Sequence, residues 1–294
     1  HHRHGADRRL WLYHLVERPR ILQEQLPMPR TLGEKSEVIP AKRRAMVLEL
    51  VRRSGVASVQ DLAAAIQASP STVRRDLEIL THEGMLSRTH GGAVALTEPS
   101  STFELEPRLN ARIRAPEKRI IGIEAAKRIR SGESVIFDSS STVFAAAEAA
   151  LSLDIEITAV TNSLEIGSIC ATAENWRLYV LGGMLRPGSP LLTGEPAEHM
   201  LATMHADLCL MGVYAITGDI MTDPIPEVAS IKRHMIRAAR RTILLADGSK
   251  FRQPAFAEFC RIPQIAEVIT DSSAPEKAVE ELRSSGVKVT LAQP

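Results

Sequence analysis

The chain is poor in residues that staple, anchor or strongly charge a protein, and each shortage removes a class of function. Its 294 residues include three cysteines, Cys170, Cys209 and Cys260. These lie far apart in apolar or mixed segments, which excludes a disulfide framework, leaves no CxxC metal motif and suits buried thiols in a reducing cytoplasm. No apolar run is long enough to span a bilayer, and the amino-terminal region lacks the apolar centre and cleavage site of a secretory signal. A cytoplasmic protein without a membrane partner is therefore expected. Lysine and arginine total 36 against 35 for aspartate and glutamate, so any nucleic-acid surface must be local rather than a property of net charge. Catalytic signatures are missing too: there is no G-x-S-x-G elbow or Walker loop, and no dinucleotide fingerprint follows a strand. No catalytic residue, metal or cofactor is assigned.

The most informative stretch that is present runs Ser69-Pro70-Ser71-Thr72-Val73-Arg74-Arg75-Asp76-Leu77. It predicts a helix start, with Ser69 or Ser71 as cap, Pro70 in the first turn, and Val73, Leu77 and Leu80 on one buried face. Ser71, Thr72, Arg74 and Arg75 then stand near the open amino-terminal end, where a recognition helix offers donors to phosphates and base edges. Asp76 reads as a carboxylate that positions a guanidinium. Upstream, Met46, Val47, Leu50 and Val51 recur at helical spacing in 42–53, and Ser58 with Asp61 is a capping signature for a second helix holding Leu62, Ala65 and Ile66. Gly84 ends the third helix, and 85–94 reads as a two-stranded wing with a glycine turn.

A winged helix-turn-helix is thus expected to contact double-stranded operator DNA through Lys42, Arg43, Ser71, Thr72, Arg74, Arg75, Arg88 and His90. The plainer alternatives are arginines that merely solvate a helix face and a winged helix that binds protein. Agreement among cap, three-helix spacing and wing favours the DNA reading. At this point the chain resembles the DeoR family of bacterial transcriptional repressors, in Val59 to Leu62, Thr72-Val73-Arg74-Arg75-Asp76-Leu77 and His90-Gly91-Gly92-Ala93.

Four segments follow from punctuation and composition: a tail of uncertain structure at 1–40, the winged domain at 41–96, a linker at 97–116 and a larger domain at 117–294. In the last, strands are predicted at 134–137, 157–160, 178–181, 208–213, 242–246, 268–270 and 287–290, with helices between them. This order predicts an α/β domain whose mostly parallel sheet is covered on both faces. Ligands bind beyond the carboxyl ends of such strands. The loops there carry Asp138, Ser139, Ser140, Ser141 and Thr142, then Thr161, Asn162 and Ser163, then Gly182 and Gly183, and later Lys250. Hydroxyls and amides at a helix start can cradle an anion, Lys232 or Lys250 can supply countercharge, and Asp138, Asn162 and Glu227 can bond sugar hydroxyls. A phosphorylated sugar or polyol is the expected effector; an ordinary helix cap at 139–142 and a tight turn at 182–183 are the plain readings.

The resemblance extends through this domain at Thr161-Asn162-Ser163-Leu164, Leu181-Gly182-Gly183-Met184-Leu185-Arg186, Gly194-Glu195, Glu227 with Lys232-Arg233, and Ala246-Asp247-Gly248-Ser249-Lys250-Phe251. It implies a sensor similar in fold to ribose-5-phosphate isomerase, a sugar-phosphate effector, and a homo-oligomeric repressor released by that effector. Two departures stand out. Ser140 occupies the place of a family glycine, and 212–218 is shorter than usual, with Ala215 in place of a second glycine. The alternative is an isomerase-like enzyme, with Glu227 or Asp138 as base and Lys232 or Lys250 as electrophile.

Overall fold

The computed structural model describes residues 40–82, 85–89, 91–95, 101–102, 110–111 and 113–294, apart from the side chains of 41, 42 and 53. The tail expected at 1–40 (save its last residue), much of the expected linker, His90 and the Lys42 side chain lie outside the described residues.

The amino-terminal unit begins with α1 (Pro40–Ser54), which starts at a proline, a residue that suits a first turn. A short strand β1 (Val56–Ser58) leads into α2 (Val59–Ile66), capped as expected by Ser58, whose Oγ accepts from the Asp61 backbone N–H at 3.0 Å. Helix α3 (Pro70–His82) follows, then β2 (Leu86–Thr89) and β3 (Gly92–Ala95), which pair antiparallel as the wing. The wing has a third strand that sequence reading missed, because β1 adds to the free edge of β3. Val47, Leu50, Leu62, Ile66, Val73, Leu77, Leu80 and Leu86 form one core beneath the three helices.

The larger unit starts with α4 (Ala115–Ala126) and continues through β4 (Ser134–Phe137), α5 (Ser141–Leu151), β5 (Ile157–Thr161), α6 (Leu164–Cys170) and β6 (Trp176–Val180). A hairpin of β7 (Met184–Leu185) and β8 (Leu192–Thr193) precedes α7 (Glu195–Ala202) and β9 (Ala206–Gly212). Then come β10 (Ala215–Thr217), β11 (Ile220–Asp223), α8 (Pro226–Arg237), β12 (Ala239–Leu245), β13 (Ala257–Arg261), β14 (Glu267–Asp271), α9 (Glu276–Ser284) and β15 (Lys288–Ala292).

Seven strands form one sheet in the order β15-β14-β12-β9-β4-β5-β6, and every pairing in it is parallel. These are the seven strands expected from the sequence. Alternation along β4 and β9 feeds two cores. Val135, Phe137, Leu208 and Leu210 face Ile121, Val143 and Ala147, whereas Ile136, Cys209 and Met211 face Leu201, Ile231 and Met235. From β4 the chain moves to one edge, and from β9 to the other. The carboxyl ends of β4 and β9 are therefore the switch point of the sheet, where diverging connections open a crevice. A separate antiparallel sheet of β10, β11 and β13 and the hairpin β7–β8 were not anticipated.

Candidate functional site

The exposed face of α3 carries Ser71, Arg74, Arg75 and Glu78, a spacing of three, four and seven that defines one side of a helix. Val73, Asp76, Leu77 and Leu80 are buried on the other. Ser69 is the cap: its Oγ accepts from the Thr72 backbone N–H at 3.1 Å and bonds the Ser71 and Thr72 hydroxyls at 2.8 Å each. Asp76 does position a guanidinium, but that of Arg43, with Nε 2.6 Å from its Oδ2 and a second bond at 3.2 Å. Arg43, one of the expected DNA contacts, has its fork on Asp76, where it pins α1 on α3. Arg88 of the wing meets Glu78 at 3.1 Å, which ties the wing to the helix it flanks.

In the larger unit a cavity of about 1360 Å³ opens at the switch point and runs outward along α4, α5 and α6. Its inner wall includes Ser139, Ser140, Ser141, Ser163, Lys232 and Lys250, all expected, together with Lys118, Tyr214 and Asp223, which were not. The two expected lysines differ in kind. Lys232 Nζ donates to Asp138 Oδ2 and to the Gly212 carbonyl oxygen, each at 2.8 Å. Burial works against its charge, but Asp138 and Asp223 prevail and hold its pKa above the ordinary lysine value. The Lys250 Nζ, also buried, makes no hydrogen bond or ion pair among the described residues, and burial pushes its pKa down to about 7 despite nearby Asp247.

Asp247 caps the short helix that carries Lys250, accepting from the Ser249 backbone N–H at 3.0 Å. Burial pushes its carboxyl up, yet Lys250, Lys118, the Ser249 bond and Arg114 together hold it below the usual range. Ser140 caps α5 by accepting from the Val143 N–H at 3.2 Å. Its side chain fits because position 212 has none: a Cβ at Gly212 would stand 2.0 Å from Ser140 Oγ and 2.2 Å from its Cβ. The seryl departure from the family pattern is thus absorbed by a glycine on the neighbouring strand.

Several expected contacts do not line the cavity. Asp138 lies behind the wall, paired with Lys232, its Oδ1 buried without a hydrogen-bond partner. Thr142 is buried on α5. Thr161 is structural: its Oγ1 donates to the Phe137 carbonyl oxygen at 2.8 Å and accepts from the Ser163 N–H at 3.1 Å. Asn162 donates to the Leu192 carbonyl oxygen at 3.0 Å, holding the β8 segment beside β5. Gly182 and Gly183 are exposed, and Gly183 is needed because a Cβ there would meet the Thr193 carbonyl oxygen at 2.5 Å. Glu227 faces solvent at the start of α8; Val228 and Lys232, one turn apart, point inward instead. The carboxylate on the wall is Asp223. The isomerase alternative thereby loses its bases, with Glu227 outside the cavity and Asp138 locked to a lysine.

Lys118 was legible in principle, as a lone lysine in phase with Ile121, Gly122 and Ala125 on the buried face of α4. Among the described residues no helix is long and apolar enough to cross a membrane, and no cluster of metal-ligating side chains occurs.

A winged DNA-reading domain joined to an α/β domain with a cavity at its switch point defines a transcriptional regulator that carries its own sensor. Residues 43–99 match the family profile described as DeoR-like helix-turn-helix domain, and residues 113–272 that described as DeoR C terminal sensor domain. The HTH-type transcriptional regulator YulB of Bacillus subtilis is 33% identical over 256 residues, covering 86% of this chain and 97% of its own. The HTH-type transcriptional repressor GlcR of the same organism is 30% identical over 252 residues, with 86% and 96% covered. The glycerol-3-phosphate regulon repressor of Haemophilus influenzae is 30% identical over 250 residues, with 85% and 96% covered. Among solved structures, ribose 5 phosphate isomerase A from Neisseria gonorrhoeae aligns over 46% of this chain and 53% of its own, with 17% identity and a TM-score of 0.35. The chain belongs to the DeoR family of transcriptional regulators, and the relatives it matches over most of its length are regulators, not enzymes.

Proposed function

We propose that this protein is a cytoplasmic repressor of carbohydrate genes, which holds a two-fold operator with paired reading heads and leaves it when a phosphorylated sugar or polyol enters the cavity. The carrying observation is Lys250, a buried lysine whose Nζ makes no hydrogen bond or ion pair among the described residues, on the wall of a cavity at the carboxyl edge of a parallel sheet. Such a group is a countercharge awaiting an anion. Hydroxyls of Ser139, Ser141 and Ser163 surround the same space and suit a polyol. A relative named for a glycerol-3-phosphate regulon agrees in ligand class. Homo-oligomerisation follows from the reading head, since paired half-sites multiply a modest single-site affinity.

The test is a gel-shift titration at several salt concentrations. Arg74→Ala and Arg75→Ala should each weaken operator binding, by about 1 to 3 kcal/mol with altered sequence preference for a base contact, or with a shallower salt slope for a phosphate contact. Calorimetry with sugar and polyol phosphates should find a ligand that releases the wild type from DNA without being converted. Full operator affinity in both arginine variants rejects the α3 assignment, and turnover of the ligand rejects the sensor reading.

A further inference from the structure

The cavity is walled in part by the chain that arrives from the reading head. Asn110 and Ala111 of that connection line it beside Ala115 and Lys118 of α4. Lys118 is buried there, and its ammonium donates to the Asn110 carbonyl oxygen. Among the described residues it makes no other hydrogen bond and no ion pair. An ammonium carries three donors and a carbonyl is a neutral acceptor, so two donors and a full charge are left for another partner. Burial pushes the Lys118 pKa down to about 8 against the pull of Asp247.

The residues just after Asn110 are seated on both halves of the molecule. Ile113 packs against the core of the reading head. Arg114, the next residue, has a left-handed φ of 55° and faces Asp247 at 3.3 Å and Asp271 at 3.4 Å, both in the sensor. A non-glycine residue keeps that conformation only when its surroundings hold it there. Between Asn110 and Arg114 the connection is therefore fixed to the sensor at both ends, with a residue of the reading head's core between them.

We propose that Lys118 is a second cation of the effector site and that the Asn110 carbonyl holds its place until the effector arrives: the anionic group takes the ammonium, and segment 110–111 gives up its seat on the wall. This rests on the sugar-phosphate reading of the cavity. A phosphate monoester brings about two negative charges at neutral pH. Hydrogen bonds between two charged groups are roughly twice as strong as those to a neutral partner, so the ammonium follows the anion. Ile113 lies two residues beyond Ala111. A displaced 110–111 thus shifts the residue that packs into the reading head, and with it the orientation that two half-sites require.

The experiment uses the full-length chain carrying Asn110→Cys, which keeps the main-chain carbonyl; the three native cysteines are buried and stay unmodified. Residue 110 is half-buried, so the rate at which a maleimide modifies the new thiol reports whether the segment is seated. Glycerol 3-phosphate and inorganic phosphate are the probes, each titrated into the wild type by calorimetry. Whichever binds should raise the modification rate at least about fivefold at saturation. Lys118→Met, which keeps the apolar stem, should raise the rate as far with no ligand present and should bind the probe at least about tenfold more weakly than the wild type. Lys118→Gln repeats both measurements in a second background, so misfolding of one variant cannot pass for either result. A rate that the ligand lowers or leaves alone, a rate that both Lys118 variants leave alone, or wild-type affinity in both of them overturns the proposal while leaving the sensor reading intact. If neither probe binds the wild type, the anion reading of the cavity fails and the proposal falls with it.

Discussion

Two buried lysines on one cavity wall do opposite work because of what lies within reach of each. Lys232 is paired at 2.8 Å with Asp138 and remains charged as part of a structural pair, whereas Lys250 has no ion-pair partner among the described residues and burial pushes its pKa down to about 7. An anion favours the ammonium form, so effector binding above the Lys250 pKa of about 7 must carry a proton in. Affinity should fall below about pH 7 as the ligand takes up its second proton, and weaken by up to about tenfold per pH unit above pH 7, more steeply once Lys118 also titrates. The ligand's own second ionisation, near about pH 6, is nearly complete above about pH 7 and contributes little slope there. Calorimetry between pH 6 and 9 measures this directly. Lys250→Gln should bind more weakly at pH 7 and show a much shallower slope from 7 to 8, and a level wild-type profile to pH 9 removes Lys250 from the anion site.

At the scale of elements, the site depends on how closely the end of β9 approaches the turn after β4. Gly212→Ala drives a Cβ into Ser140, which must abandon its cap on α5 or push β9 aside, at a cost of about 1 to 3 kcal/mol. Ser140→Gly removes both clashing atoms, so the double variant should recover most of the melting temperature and effector affinity lost in Gly212→Ala. Thermal melts of the three variants check it, and absence of rescue places the damage elsewhere. The same loops show what was legible beforehand. All seven strands of the main sheet were readable, because apolar runs such as Ser134–Phe137 and Ala206–Gly212 are bounded by turn residues and alternate with helical periods. The strands at 56–58 and 215–217 were not, being three residues long and too short to display a period. Parallel topology also located the cavity. Which side chains enter it depends on helical phase, and a one-residue offset is enough to turn Glu227 outward and Val228 inward. Asp76 was readable as a guanidinium holder but its partner was not, since Arg43 lies 33 residues away.

For the molecule as a whole, sensor and reading head are coupled only if each changes the other's binding by the same factor. Operator DNA should therefore weaken effector affinity to the extent that effector weakens operator affinity, which four titrations in a closed cycle determine; unequal factors mean that a third equilibrium, such as subunit assembly, intervenes. The order of strands in the sheet has a further consequence, felt before the protein is complete. Strand β4 lies inside the finished sheet, next to the central strand β9, but is the first of the seven to be synthesised. One of its edges is covered soon by β5; the other waits for β9, and Ser134 and its neighbour Asp207 are 73 residues apart in the chain. At about 5–20 residues per second, a ribosome leaves that apolar edge open for roughly four to fifteen seconds. Nascent copies on one messenger are most open to mispairing at that edge during this interval, and the arrival of β9 ends it.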